Sequence, residues 1–323
     1  MVPVTDAAAT PPLVPSPPAR PVRLIATDLD GTLLRDDRSV SDRTVAALVA
    51  AERAGIEVFF VTGRPARWMD IVSDHVHGHG LAICANGAAV VDLHRGGRIV
   101  EVDPLARTDA LAVVQALRAV APGTSFAVER TTGIAYEPEY PPFYLDPAVV
   151  IAPVEKLLAE DPQDPEEPGA PCPSETVGPV AESHAVTDEA AAAAGTDRPV
   201  LKLLAHHPDL DPDAFLALAR EAAGDLAAFT RSSPTALLEI SGLGVSKAGT
   251  LARCCAERGI SPEEVVAFGD MPNDIEMLTW AGTSYAMANA HPDVLAATTH
   301  RTAANTEDGV AAVIERIVER QQG

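Results

Sequence analysis

The sequence predicts an α/β protein: a parallel sheet core with helices on both faces, interrupted by an inserted α+β domain. Three observations lead there. Short apolar runs end in acidic residues and glycine near both ends of the chain, as in RLIATDLDGTLL from Arg23 and VVAFGD from Val265. Helical stretches alternate with these runs, and the texture changes in between. A strand buried on both faces reads as an apolar run, and strand, helix, strand in that order calls for a parallel sheet.

Taken in order, the first 21 residues, MVPVTDAAATPPLVPSPPARP, lack the basic start and apolar stretch of a secretory signal and read as a flexible, disordered tail. RLIATD is the first strand. Ser41 can cap the next helix, in which Val45, Leu48 and Val49 fall at helical spacing and which Gly55 stops. IEVFFV is the second strand, closed by TGRP. A helix over Ala66 to Val76 follows, then the run LAIC and a turn at Asn86-Gly87. From about Ala88 the inserted domain is expected to begin, with AAVVDL and RIVEV as a hairpin around a His-Arg-Gly-Gly turn. A helix over Thr108 to Val120 and the strands TSFAVE and GIAYEP continue it.

Residues 152–199 hold eight prolines and a run of five alanines, and Glu155 to Asp197 carries eleven acids against one lysine. Low hydrophobicity with high charge predicts a disordered segment there. The inserted domain resumes with VLKLLAHH, a helix over Asp213 to Ala223 and a strand near Leu226 to Thr230. After ALLEIS the alternation returns: a helix over Ser246 to Arg258, the strand VVAFGD, a helix over Asn273 to Ala281, TSYAM, and a last helix from Thr306. The first domain is therefore read as discontinuous, 22–89 plus 236–323, with 90–235 inserted.

The composition narrows the function. The formal net charge is −22, and no basic stripe exists that could neutralise a nucleic-acid backbone. No apolar run approaches the roughly 20 residues that span a bilayer, which excludes a membrane-spanning helix. Cys84, Cys172, Cys254 and Cys255 include no CxxC pair, so free thiols in a reducing cytoplasm are expected. His75, His77 and His79 alternate between glycines and read as a polar loop, in preference to a metal site.

Chemistry concentrates at strand ends, where open parallel sheets place their ligand crevice. Asp28 and Asp30 follow the first strand; of two such carboxylates, one can attack or bind metal while the other manages protons. Thr62, after the second strand, offers a hydroxyl to a phosphoryl oxygen, and Gly63 allows close backbone approach. Arg64 beside it is read either as serving the site or pairing with an acid, or as a solvent-facing loop arginine. Lys247, one of three lysines, starts a helix where its ammonium and the helix N-terminus can face an anion. Asp270, Asn273 and Asp274 lie in FGDMPNDIEML, and carboxylates without soft ligands favour a hard cation such as Mg²⁺.

These four ordered segments resemble the haloacid dehalogenase (HAD) superfamily of phosphatases, and in particular its Cof-like subfamily with a type IIB cap. The resemblance covers Arg23 to Asn86 and Ile240 to the end of the chain. It implies a Rossmann-like core, an inserted α+β cap domain and hydrolysis of small phosphorylated substrates with Mg²⁺. It also implies Asp28 as nucleophile, Asp30 as general acid and base, and Thr62 and Lys247 as holders of the phosphoryl group. Asp270 would complete the Mg²⁺ site with the Asp28 carboxylate and the Asp30 carbonyl, with Asp274 as a ligand or a support. ICANGA resembles the family's lead into the cap and puts Asn86 and Gly87 at the site; SYAMANAHPDV matches at Met287 and Asn289. Lys247-Ala248-Gly249 departs from the family's Lys-Gly. The rival readings are a sugar phosphomutase or phosphotransferase on the same fold, and a non-enzymatic phospho-receiver, which would need only one short domain.

Overall fold

The computed structural model describes residues 20–73, 80–141, 150–159, 198–231, 237–298 and 300–322. The expected N-terminal tail before residue 20, the His75–His79 loop, Cys172 and most of the acidic segment lie outside the described residues.

Thirteen strands form two sheets among these residues. In chain order they are β1 (Leu24–Thr27), β2 (Glu57–Val61), β3 (Leu81–Cys84), β4 (Ala89–Asp92), β5 (Arg98–Val102), β6 (Ser125–Arg130), β7 (Gly133–Tyr136), β8 (Val200–His206), β9 (Ala228–Thr230), β10 (Leu237–Ser241), β11 (Val265–Gly269), β12 (Thr283–Ala286) and β13 (His300–Arg301). The first sheet has the order β13-β12-β11-β1-β2-β3-β4-β5 and is parallel from β13 to β3. The second, β7-β6-β8-β10-β9, is antiparallel and belongs to the inserted cap.

The core sheet is built as its apolar runs dictate. β1, β3 and β11 are buried at every position, and Phe59, Phe60 and Phe268 are fully buried. Helices Asp42–Arg53 and Gly309–Gln322 pack together, as do Lys247–Glu257 and Ile275–Trp280, and these pairs cover the sheet. Ser41 caps its helix by accepting from the Thr44 N–H, and Ser246 does the same for Gly249. Both caps relieve N–H groups that a helix leaves unpaired at its start.

Two segments join the other sheet from the one expected. The hairpin β4–β5, assigned from sequence to the inserted domain, extends the first sheet: β4 runs antiparallel to β3, with Leu81 opposite Asp92 and Cys84 opposite Ala89. Ala89, Val90 and Val91 are all buried, so this strand has two covered faces and must join a sheet with cover on both sides. β10, assigned from sequence to the first domain, pairs with β8 and β9 in the second sheet instead. Its inward residues Leu238 and Ile240 complete the cap's own core with Phe126, Leu203 and Phe215. The sheet membership of β4, β5 and β10 thus differs from the division expected at 89 and 236.

Phe60 lies in the middle of β2 with no exposed surface. Phe60→Ala is expected to lower the free energy of unfolding by about 3–5 kcal/mol, read as a lower urea midpoint; an unchanged midpoint would contradict this placement of the core.

Candidate active site

Asp28, Thr62 and Asp270 follow the C-terminal ends of parallel strands, whereas Lys247 starts the helix that follows β10 of the second sheet. Asp28 follows β1 directly and its N–H donates to the Phe268 carbonyl of β11, so the backbone ladder itself sets its position. Its carboxylate Oδ1 lies 2.5 Å from Lys247 Nζ. Lys247 is the first residue of its helix and also donates to Asp274 Oδ1 at 2.7 Å. The other oxygen of Asp274 accepts the backbone N–H groups of Asp270 and Met271, each at 3.0 Å. Asp274 thus uses one oxygen to fold the turn after β11 and one to hold the ammonium. Asp270 accepts from the Thr32 hydroxyl at 2.8 Å.

Gly31 is required by this crowding. Its φ of +76° suits glycine, and a Cβ there would stand 2.3 Å from Asp270 Oδ2. The loop after β1 can then pass against the Asp270 carboxylate, and Asn289 Nδ2 fixes it by donating to the Gly31 carbonyl at 2.8 Å.

The electrostatics follow from composition and burial. Ligand oxygens of Asp28, Asp270 and Asp274 all lie within 4.8 Å of one another, and all three residues are buried. One buried ammonium faces them. Burial pushes the Asp28 carboxyl well above its usual range, and the pull of Lys247 is countered by Asp274 and Asp270. Burial, then Asp274, raises Asp270 to about 7. For Lys247 burial acts against the charge, but Asp274 and Asp28 outweigh it and its pKa rises. Three buried acids around one ammonium leave negative charge uncompensated, which costs free energy unless a proton or a cation supplies the balance. An all-oxygen donor set of this kind fits a hard divalent cation such as Mg²⁺.

Asp30 lies apart from that cluster. Its carboxylate is 58% exposed and is gripped by Arg64, whose Nη2 reaches Oδ1 at 2.5 Å and whose Nε reaches Oδ2 at 2.6 Å. Thr62, after β2, accepts from the Arg64 N–H at 3.1 Å and is buried. Asp28, Asp30, Thr62, Gly63, Arg64 and Asn273 line one cavity of about 330 Å³, whose wall also includes Tyr136, Lys202, Leu204 and Glu239 of the second sheet. The Asn273 Oδ1 is a buried acceptor with no partner among the described residues.

Asn86, expected at the site together with Gly87, bonds to two residues of the cavity wall. The buried Asn86 amide donates to Glu239 of the cap at 2.7 Å and accepts from Asn273 at 3.3 Å, while the Gly87 carbonyl accepts from Thr250. They brace the loops. Sequence reading missed the cap's share: Lys202 donates to the Gly63 carbonyl at 2.7 Å and to Glu239 at 2.6 Å, and Arg67 pairs with Glu129. The available signal was a charged residue inside each apolar strand, Lys202 in VLKLLAHH and Glu239 in ALLEIS.

Comparison with known proteins agrees with this arrangement. Residues 25–314 match the family model of the haloacid dehalogenase-like hydrolases. The 5-amino-6-(5-phospho-D-ribitylamino)uracil phosphatase YcsE of Bacillus subtilis is 28% identical over 92% of this chain and 96% of its own. The pyridoxal phosphate phosphatase YbhA of Escherichia coli is 29% identical over 90% of this chain and 97% of its own. Among solved structures, the subclass IIB sugar phosphatase BT4131 superposes with a TM-score of 0.68 at 19% identity, covering 91% of this chain and 98% of that one. BT1666 from Bacteroides thetaiotaomicron gives 0.67 at 21%, covering 94% and 98%. The chain belongs to the haloacid dehalogenase-like hydrolase family, as a phosphatase of its Cof-like branch with an inserted cap over the sheet edge.

Proposed function

We propose that the protein hydrolyses phosphate monoesters of small metabolites through an aspartyl-phosphate on Asp28, with Asp30 as general acid and base and Mg²⁺ held by Asp28, the Asp30 carbonyl and Asp270. The single observation that carries this reading is the 2.5 Å contact of Lys247 with Asp28 inside a buried cluster of three aspartates. Bound there, Mg²⁺ supplies the positive charge that lets a phosphate dianion approach a carboxylate.

The chain's own residues divide the rest of the work. An Asp28 oxygen attacks phosphorus as the bond to the leaving oxygen breaks, and Asp30 gives that oxygen its proton. Lys247 offsets the charge on the transferring group, and Asp274 keeps the ammonium in place. Thr62 and Asn273 offer polar groups to the phosphoryl oxygens. Asp30 then takes a proton from the incoming water, which attacks phosphorus and returns Asp28 to a carboxylate. Arg64 orients Asp30 between these two transfers.

The reading includes a cytoplasmic location and a small phosphorylated partner. Cys84, Cys254 and Cys255 are free and buried, and burial pushes Cys254 to about 11 and Cys255 to about 12, which fits inert thiols in a reducing compartment. Among the described residues no helix is long and apolar enough to cross a membrane.

The test is release of inorganic phosphate from a panel of phosphorylated metabolites with Mg²⁺, with and without chelator. Asp28→Asn is expected to lower kcat by about 10³-fold or more while substrate still binds; a variant that keeps most of its turnover would overturn the assigned nucleophile. A second expectation concerns pH. A carboxyl whose pKa rises on folding stabilises the fold below its ordinary range and ceases to as pH climbs through the raised value, for Asp270 about 7. Metal-free protein should therefore melt at lower temperature as pH rises from about 4 to about 8. Added Mg²⁺ should raise the melting temperature more at the alkaline end than at the acid end. Absence of any Mg²⁺ shift near neutral pH, followed by scanning fluorimetry, would contradict the metal assignment.

A further inference from the structure

The central strand of the cap sheet, β8, carries a charge where its pattern calls for carbon. Lys202 stands between Leu201 and Leu203 in VLKLLAHH, on the opposite face from Leu203, and is buried. Glu129 of β6 lies directly across from it, and Glu239 of β10 lies across from Leu204. Glu129 pairs with Arg67 of the first domain, while Lys202 donates to Glu239 Oε2 at 2.6 Å and to the Gly63 carbonyl at 2.7 Å. A buried ion pair adds little net stability over apolar residues of the same size, because desolvation offsets the attraction. Packing therefore gives no reason for an ammonium here. Its distinctive contact is a charge-assisted hydrogen bond to one peptide of the other domain.

That peptide matters for what its other end does. The Gly63 C=O and the Arg64 N–H belong to one planar trans unit, so a donor that fixes the oxygen also fixes the N–H on the opposite side. The Arg64 N–H donates to Thr62 Oγ1 at 3.1 Å. With that lone pair engaged, the Thr62 hydroxyl has its proton to give to the cavity it lines. An ammonium on the carbonyl also polarises the peptide, which strengthens its N–H as a donor and passes the effect on to the Thr62 O–H. The loop is closely fitted: a Cβ on Gly63 would stand 3.2 Å from Asn86 Oδ1 and 3.3 Å from Glu239 Oε2. Asn86 donates its backbone N–H to the Thr62 carbonyl at 3.0 Å and its amide to Glu239 Oε2 at 2.7 Å. The carbonyls of Thr62 and Gly63 are thus pinned by two residues that share Glu239.

We propose that Lys202 is a positioning residue for phosphoryl transfer: through the Gly63–Arg64 peptide it aims and polarises the Thr62 hydroxyl toward the transferring group, with Glu239 holding its ammonium in place. The inference rests on the phosphatase reading and adds to it a contribution of the second sheet to the chemical step. Lys202 also borders the cavity, so a direct contact with the leaving group is the competing role, and kinetics separate the two. A direct contact changes from one ester to the next and vanishes for a leaving group too small to reach the cap. A contribution through Thr62 is the same for every substrate, because every substrate brings the same phosphoryl group.

The experiment is a double-mutant cycle of Lys202→Met and Thr62→Val in the full-length, Mg²⁺-loaded protein. It reads kcat/KM for acetyl phosphate, whose leaving group is small, and for the two best-cleaved esters of the metabolite panel. Lys202→Met should lower kcat/KM by about tenfold to a hundredfold, and by the same factor for all three substrates. In the Thr62→Val background the same change should cost less than about twofold, since the hydroxyl it acts on is gone. Melting curves report that each variant folds. Should Lys202→Met lose its fold, its combination with Glu239→Gln, which leaves no lone buried charge, carries the same comparison. A loss confined to the larger esters, full additivity of the two substitutions, or unchanged kinetics in Lys202→Met would each overturn the inference while the phosphatase reading stands. Failure of the unmodified protein to release phosphate from acetyl phosphate and from the whole panel would overturn both.

Discussion

The structure turns on one imbalance of charge: Asp28, Asp270 and Asp274 converge in a buried corner that holds a single ammonium, from Lys247. Carboxylates so close and so dry resist ionisation together, which is why burial and mutual repulsion raise Asp28 and Asp270 while Lys247 stays charged. Such a corner persists only if the backbone compels it. Asp28 is locked by the β1–β11 ladder, and Asp274 is locked by the N–H groups of Asp270 and Met271. Uncompensated negative charge held in place is what makes the corner fit for a hard cation.

The cap does more than cover this corner. Lys202 and Glu239, on neighbouring strands of the second sheet, meet Gly63 and Asn86 of the first domain, and Arg67 reaches up to Glu129. The loop carrying Thr62 is thereby held from both sides of the seam. Buried ion pairs of this sort add little net stability, since desolvation offsets much of their attraction, but removing one partner leaves a buried charge with no counter-ion. Their consequence here is positional: the cap's approach and the geometry of the loop after β2 are tied together.

Much of the core is legible in the sequence because its residues have single uses. An apolar run ending in DLDGT or FGD fits a buried strand that opens onto a ligand crevice and little else, and Ser41 and Ser246 cap the helices the spacing predicts. The hairpin β4–β5 escapes its expected domain because local pattern gives strand and turn but not which sheet a strand will join; that is decided by its two buried faces. β10 departs for the opposite reason, since its partners β8 and β9 are distant or weakly patterned in sequence. Asn86 lies in a recognisable motif, but its bond to Glu239 of the second sheet joins residues far apart in the chain and is not legible there. The small cluster of Ile134, Tyr136, Leu204 and Leu237 is invisible in the sequence because alternating strands look alike whichever face they turn to the site.

The central claim is that Asp28 itself takes the phosphoryl group. The most direct measurement is rapid acid quench during turnover of a cleaved substrate, followed by peptide mass spectrometry. The account predicts a transient phosphate adduct on the peptide containing Asp28, absent without substrate. Steady phosphate release with that peptide never modified, or with the adduct on another residue, would contradict it.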